Sequence, residues 1–148
     1  MIYTFKTSRF REIDHTADIG LSGEESSLPA LFASLAFGML QIITKEQPQV
    51  NDVRRRIRLD EPSINDLLIR WLSDINYYLQ VDHFLLSAIS ELEIVETPST
   101  FYLQAWLHGS DREIPSDLIE TEIKAVTYHQ LAVTKRNNRY AARVIFDI

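Results

Sequence analysis

The stretch VRRRIRLDEPSINDLLIRWLSDINYYL, residues 53–79, changes its period midway, and that change decides the fold class. In its first part Val53, Arg55, Ile57 and Leu59 alternate with Arg54, Arg56 and Arg58, the period of a half-buried strand. From Ser63 onward the apolar positions are Ile64, Leu67, Leu68, Trp71, Leu72, Ile75 and Leu79, which is the 3.6-residue period of an amphipathic helix. Ser63 is placed to start it, because its hydroxyl can bond the Asp66 amide while Asp66 reaches back.

Upstream, Leu28, Leu31, Phe32, Leu35, Ala36, Met39 and Leu40 repeat the helical spacing over residues 28–43. Ser26 or Ser27 can cap that helix, and Pro29 falls in its first turn, where a missing N–H costs little. Each helix reads as having one apolar face. The other regular segments have period two: Phe10 to Ile13, Ala17 to Leu21, Leu92 to Val95, Phe101 to Leu107, Ile123 to Thr134 and Tyr140 to Phe146, with Asn137-Asn138 a turn between the last two. Many strands and only two helices predict an α+β domain, a mainly antiparallel sheet with both helices packed on one side in two layers. Residues 96–121, punctuated by Thr97-Pro98-Ser99 and Ile114-Pro115-Ser116, read as a loop or small subdomain.

At 148 residues the chain is expected to form one domain, residues 1–148, burying roughly two-thirds of the surface of its unfolded form. With 45% apolar residues, four Gly and five Pro, it is too hydrophobic and too poor in turn formers for a disordered or fibrous protein. Cysteine is absent, which excludes disulfides, a thiolate nucleophile and Cys-type zinc sites and fits a cytoplasmic location. No apolar run is long enough to span a membrane, and no signal peptide is expected. A net charge of −6 disfavours sequence-blind binding to nucleic acid.

Two carboxylates stand out, one near each end. Asp18 lies in DHTADIG (residues 14–20) and Asp147 in the closing Phe146-Asp147-Ile148. Strand alternation that persists to the last residue sets the Asp147 side chain beside the terminal carboxylate of Ile148, a meeting of hard oxygens of the kind calcium and magnesium prefer. Lys124 is the alternative source of neutralising charge. Within DHTADIG, Asp14, Asp18 and His15 could converge on one site. A short turn in which Asp14 or Thr16 bonds the backbone accounts for the same run, and the spacing alone favours it. In ETEIKAVTYHQ (residues 120–130) alternation sets Lys124, Val126, Tyr128 and Gln130 on one face and Ile123, Ala125, Thr127 and His129 on the other; a Lys-Tyr or Lys-His pair suits acid–base chemistry, while a plain strand is the simpler account. The histidines, at 15, 83, 108 and 129, lack the close spacing of zinc ligands. The basic run Arg54 to Arg58 suits RNA or an acidic partner, and equally a solvated or protected strand edge. No nucleophile-elbow, P-loop, dinucleotide or zinc-protease motif is present.

DHTADIG, then KAVTYH at Lys124 to His129, then the closing Phe-Asp-Ile resemble, in this order and at these positions, the archease family. The similarity extends to length, the helix after the first hairpin and the second helix with its Leu-Leu-x-x-Trp-Leu core. The resemblance implies a small cytoplasmic α+β accessory factor that is not itself an enzyme. It would assist an RtcB-type tRNA-splicing RNA ligase, promoting guanylylation of the ligase's active-site histidine and multiple turnover, and would meet tRNA only through that ligase. It also implies a divalent-metal site on Asp18, Asp147 and the main-chain or terminal oxygens of Ile148, with calcium expected first and magnesium or manganese as alternatives. His15, Lys124 and His129 are further candidates. Two other readings use the same residues: a chaperone-like protein-binding module, and a metal-dependent phosphodiesterase or nuclease.

Overall fold

A computed structural model describes residues 1–4, 11–14, 18–45 and 51–148, with the backbone alone at 11–14. The elements run β1 (Ile2–Thr4), β2 (Arg11–Asp14), β3 (Asp18–Glu25), α1 (Leu28–Ile43), β4 (Val53–Glu61), α2 (Ile64–Asp82), β5 (Leu85–Glu96), β6 (Phe101–Ser110), a 3₁₀ turn at Ser116–Leu118, β7 (Ala125–Arg136) and β8 (Arg139–Asp147). The α+β class and the antiparallel pairing are as expected from the sequence. The strands, however, divide into two four-stranded sheets, β1-β5-β6-β4 and β2-β3-β8-β7.

The division follows from α1. Every residue from Leu31 to Leu40 is buried, including Ser34 and Gly38, so the helix has no solvent face. A helix apolar all round needs cover all round, and α1 touches β3 and β8 of one sheet and β1 and β5 of the other. The single apolar face read from the sequence is therefore corrected to a fully enclosed helix. Helix α2 keeps the expected amphipathic form, burying Leu67, Leu68, Trp71, Leu72, Ile75 and Leu79.

Caps set both helix starts. Ser27 Oγ accepts from the Ala30 amide at 3.2 Å, and Ser63 Oγ accepts from the Asp66 amide at 3.1 Å while donating to the Asp66 carboxylate at 2.8 Å. Helix α1 ends without a glycine cap. Instead the Ile43 carbonyl accepts from the amides of Glu120 and Thr121 at 2.8 and 3.3 Å, so the chain after β6 straps the open helix end. The strand read at Phe101 to Leu107 is present as Phe101–Ser110, and the rest of the segment 96–121 leads into this strap rather than forming a separate subdomain. Strands β7 and β8 join through Asn137 and Asn138, both with positive φ (52° and 61°), the left-handed pair a two-residue hairpin turn requires.

Candidate functional site

Strand β8 lies between β3 and β7, and the register pairs Asp18 with Asp147 and Asp147 with Ala125. The start of β3, the end of β8 and the start of β7 therefore meet at one end of the second sheet. Ile19, Leu21, Val144 and Phe146 face the core, so alternation turns Asp18 and Asp147 to the opposite face. Asp18 is half-buried and Asp147 is exposed. Like charges directly opposite each other on neighbouring strands repel, and among the described residues no Lys or Arg pairs with either carboxylate. Nor do the described residues gather three or more His, Asp or Glu side chains around one point.

Lys124 does not neutralise this end. Its amide, not its ammonium, makes the contact, donating to the Asp147 carbonyl at 2.8 Å, and among the described residues its side chain forms no ion pair. Helix α2 fixes that amide. The carboxamides of Asn76 and Gln80 both donate to the Ile123 carbonyl, at 3.0 and 2.8 Å, and Gln80 also donates to the Asn76 side-chain oxygen at 2.9 Å. The residue before Lys124 is thus held by two side chains of a packed helix, and the end of β8 is held through it. Sequence reading missed this clamp. Its signal was Asn76, a polar residue next to Ile75 and Leu79 on the apolar face, and such a residue, once buried, needs a specific acceptor.

His15 lies outside the described residues, as does the Asp14 side chain. The backbone register pairs Asp14 with Ile19, one position past Asp18. His129 does not join the tip: it is exposed in a bulge where Tyr128 to Leu131 of β7 stand opposite Val144 alone, with Gln130 at φ 53°. The bulge also breaks the strict alternation expected for this strand, since Val126 before it, Leu131 at its end and Val133 after it all pack inward.

Tyr128 itself ties the bulge to α2, donating to the Asp66 carboxylate at 2.5 Å. Hydrogen bonds from Tyr128 and Ser63 hold the Asp66 carboxyl below the usual carboxylate range, and the same carboxylate pushes the Tyr128 phenol up. A depressed acid stabilises above its unfolded pKa and loses that contribution as pH falls through the folded value; a raised phenol stabilises below its unfolded pKa and loses it at alkaline pH. The tie is therefore complete at neutral pH and weakens at both extremes. Tyr128→Phe should flatten the change in stability between pH 7 and pH 3 and move the Asp66 carboxyl up, both measurable by denaturant titration and carboxylate NMR.

A profile of the Archease protein family matches residues 10–148. Protein archease of Methanosarcina barkeri is 32% identical over 140 residues, which span 95% of this chain and 96% of that protein. Its namesake in Saccharolobus islandicus is 30% identical over 139 residues, covering 94% of this chain and 98% of the relative. The solution structure of Methanobacterium thermoautotrophicum protein 1598 shares the fold with a TM-score of 0.79 at 26% identity, over 94% of this chain and 98% of that one. With sequence and fold matched over nearly the same span, the chain belongs to the archease family.

Proposed function

We propose that this chain is a non-catalytic protein partner of an RtcB-type RNA ligase in the cytoplasm, presenting a divalent cation, calcium first, at the carboxylate end of its second sheet. The observation that carries the reading is the cross-strand pairing of Asp18 with Asp147 without a described cation beside them. The donors fit a hard ion: two side-chain carboxylates, with Ile148 offering main-chain or terminal oxygens and no cysteine in the chain. Such an ion, when bound, supplies positive charge to a phosphate-bearing group on the partner. The chain's own residues do the positioning. Asp18 and Asp147 would hold the ion, and the Asn76-Gln80 clamp keeps the Lys124 amide on Asp147 so that the two strand ends stay in register.

The test exploits a reversal of sign. Asp18→Asn removes one of two facing negative charges, so in chelator-treated protein it should raise stability by about 0.2–1 kcal/mol. With calcium at a hundredfold excess over its dissociation constant, the wild type should gain about 2.7 kcal/mol that the variant does not. Titration calorimetry should show the same loss in Asp147→Asn. With the organism's own ligase and labelled GTP, both folded variants should fail to stimulate guanylylation and repeated joining. Unchanged calcium affinity in both would end the metal assignment, and unchanged stimulation would end the functional one.

A further inference from the structure

The first sheet carries a separate surface. Helices α1 and α2 pack on its inner face against Ile57, Leu59, Leu103 and Leu107. The outer face takes the alternate residues: Arg54, Arg56 and Arg58 in a row along edge strand β4, followed by Asp60, and Tyr102, Gln104, Trp106 and His108 on β6 beside them, with Arg56 directly opposite Trp106. The Arg54 guanidinium lies 4.2 Å from the centre of the Trp106 ring and that of Arg56 5.0 Å. Arg54 and Arg58 are exposed. Among the described residues none of the three arginines has a carboxylate partner, and the Arg56 Nε–H is buried without an acceptor. Arg55, on the inner side of the same strand, is by contrast paired with Asp82 at 2.8 Å and lies over Tyr78. The core-side arginine is paired within the fold; of its neighbours, Arg56 donates to the Gln104 side-chain oxygen at 2.9 Å, and Arg54 and Arg58 have no carboxylate partner among the described residues.

We propose that this face binds single-stranded nucleic acid, with phosphates on Arg54 and Arg58 and a base on the Arg54–Trp106–Arg56 stack. Arginines at alternate strand positions repeat every ~6.7 Å, a row suited to tracking an extended backbone. Rings on the adjacent strand offer the flat surface on which unpaired bases stack. A duplex hides its base faces and cannot use the Trp106 ring. The net charge of −6 removes long-range attraction, so binding rests on these close contacts and is steeply sensitive to salt only in proportion to the few phosphates met.

The two tryptophans make the test direct. Trp71 is 0% exposed, so a change in tryptophan fluorescence, excited where tyrosine does not absorb, reports Trp106 on adding a ligand. Titration with a uridylate or thymidylate strand of about ten nucleotides should quench that signal saturably, and the log–log slope of affinity against salt should be roughly −1.4, two phosphates at about −0.7 each. Arg54→Gln with Arg58→Gln, both surface changes, should bring the slope close to zero. Trp106→Ala should weaken binding about 5- to 100-fold, read by anisotropy of a labelled strand. Asp147→Asn should bind as the wild type does, which separates this face from the carboxylate end. The proposal is overturned if the strands do not bind, if the arginine pair variant binds with an unchanged slope, or if a duplex or polyglutamate binds as tightly as the single strand.

Discussion

Trp71→Ala should destabilise the protein by about 3–5 kcal/mol, the range for removing a large buried aromatic. Trp71 is 0% exposed and sits where α2 crosses α1, its ring 6.4 Å from that of Phe32 and its indole N–H donating to the Phe32 carbonyl at 2.9 Å. Alanine would leave a void with Leu67, Leu68 and Leu72 on the same helix face, all fully buried in a packed core that cannot close over it without moving α1. Against a typical total of about 5–15 kcal/mol, that loss takes much of the fold's margin. Trp71→Phe keeps most of the ring and loses only the donor. Phe32 lies within α1, so its carbonyl keeps a helical partner, and the cost should fall to about 1–2 kcal/mol. Urea titration of the two variants gives both values, and equal midpoints for them would show that the ring volume is not what holds the helices together.

Gly109→Ala should cost at least the 1–3 kcal/mol typical of overpacking. Gly109 faces inward on β6, and a Cβ there would overlap the Leu85 carbonyl and come within 3.1 Å of the Phe84 ring. The obstacle is backbone of the neighbouring strand, so no rotamer change relieves it; β5 itself must move, next to the irregular register between Leu86 and Ala88. Thermal unfolding should show a drop of several degrees, at about 2–4 °C per kcal/mol for a chain of this size. An unchanged midpoint would mean that β5 and β6 are not in the close contact described.

Both helices were legible in the sequence because their starts are encoded locally, by Ser27 with Pro29 and by Ser63 with Asp66. The Asn137-Asn138 turn was legible for the same reason. Strand β5 was half missed: Leu85 to Ile89 are all buried, and a strand covered on both faces loses the alternation that identifies it. In β7 the bulge at Tyr128 to Leu131 reverses the alternation partway. The two carboxylates could be singled out from their own neighbourhoods, but their meeting depends on the register between β3 and β8, and no local pattern states which strands pair. The Arg54–Trp106 stack was hidden for the same reason: Val53 to Leu59 and Phe101 to Leu107 each read as a strand, but no local pattern states that they pair.

The placement of β8 has a consequence for how the chain is made. Its partners come from residues 18–25 and 125–136, so the second sheet cannot be assembled until residues 139–147 have left the ribosome. Helix α1, complete by residue 43, then waits with the side that β8 will cover open to water for most of synthesis. Pairing β3 with β8 also closes a very long loop late, which slows folding. Newly made chains should therefore be captured by holdase chaperones until the last strand emerges, and a premature stop before Arg139 should yield aggregates rather than a shorter folded protein.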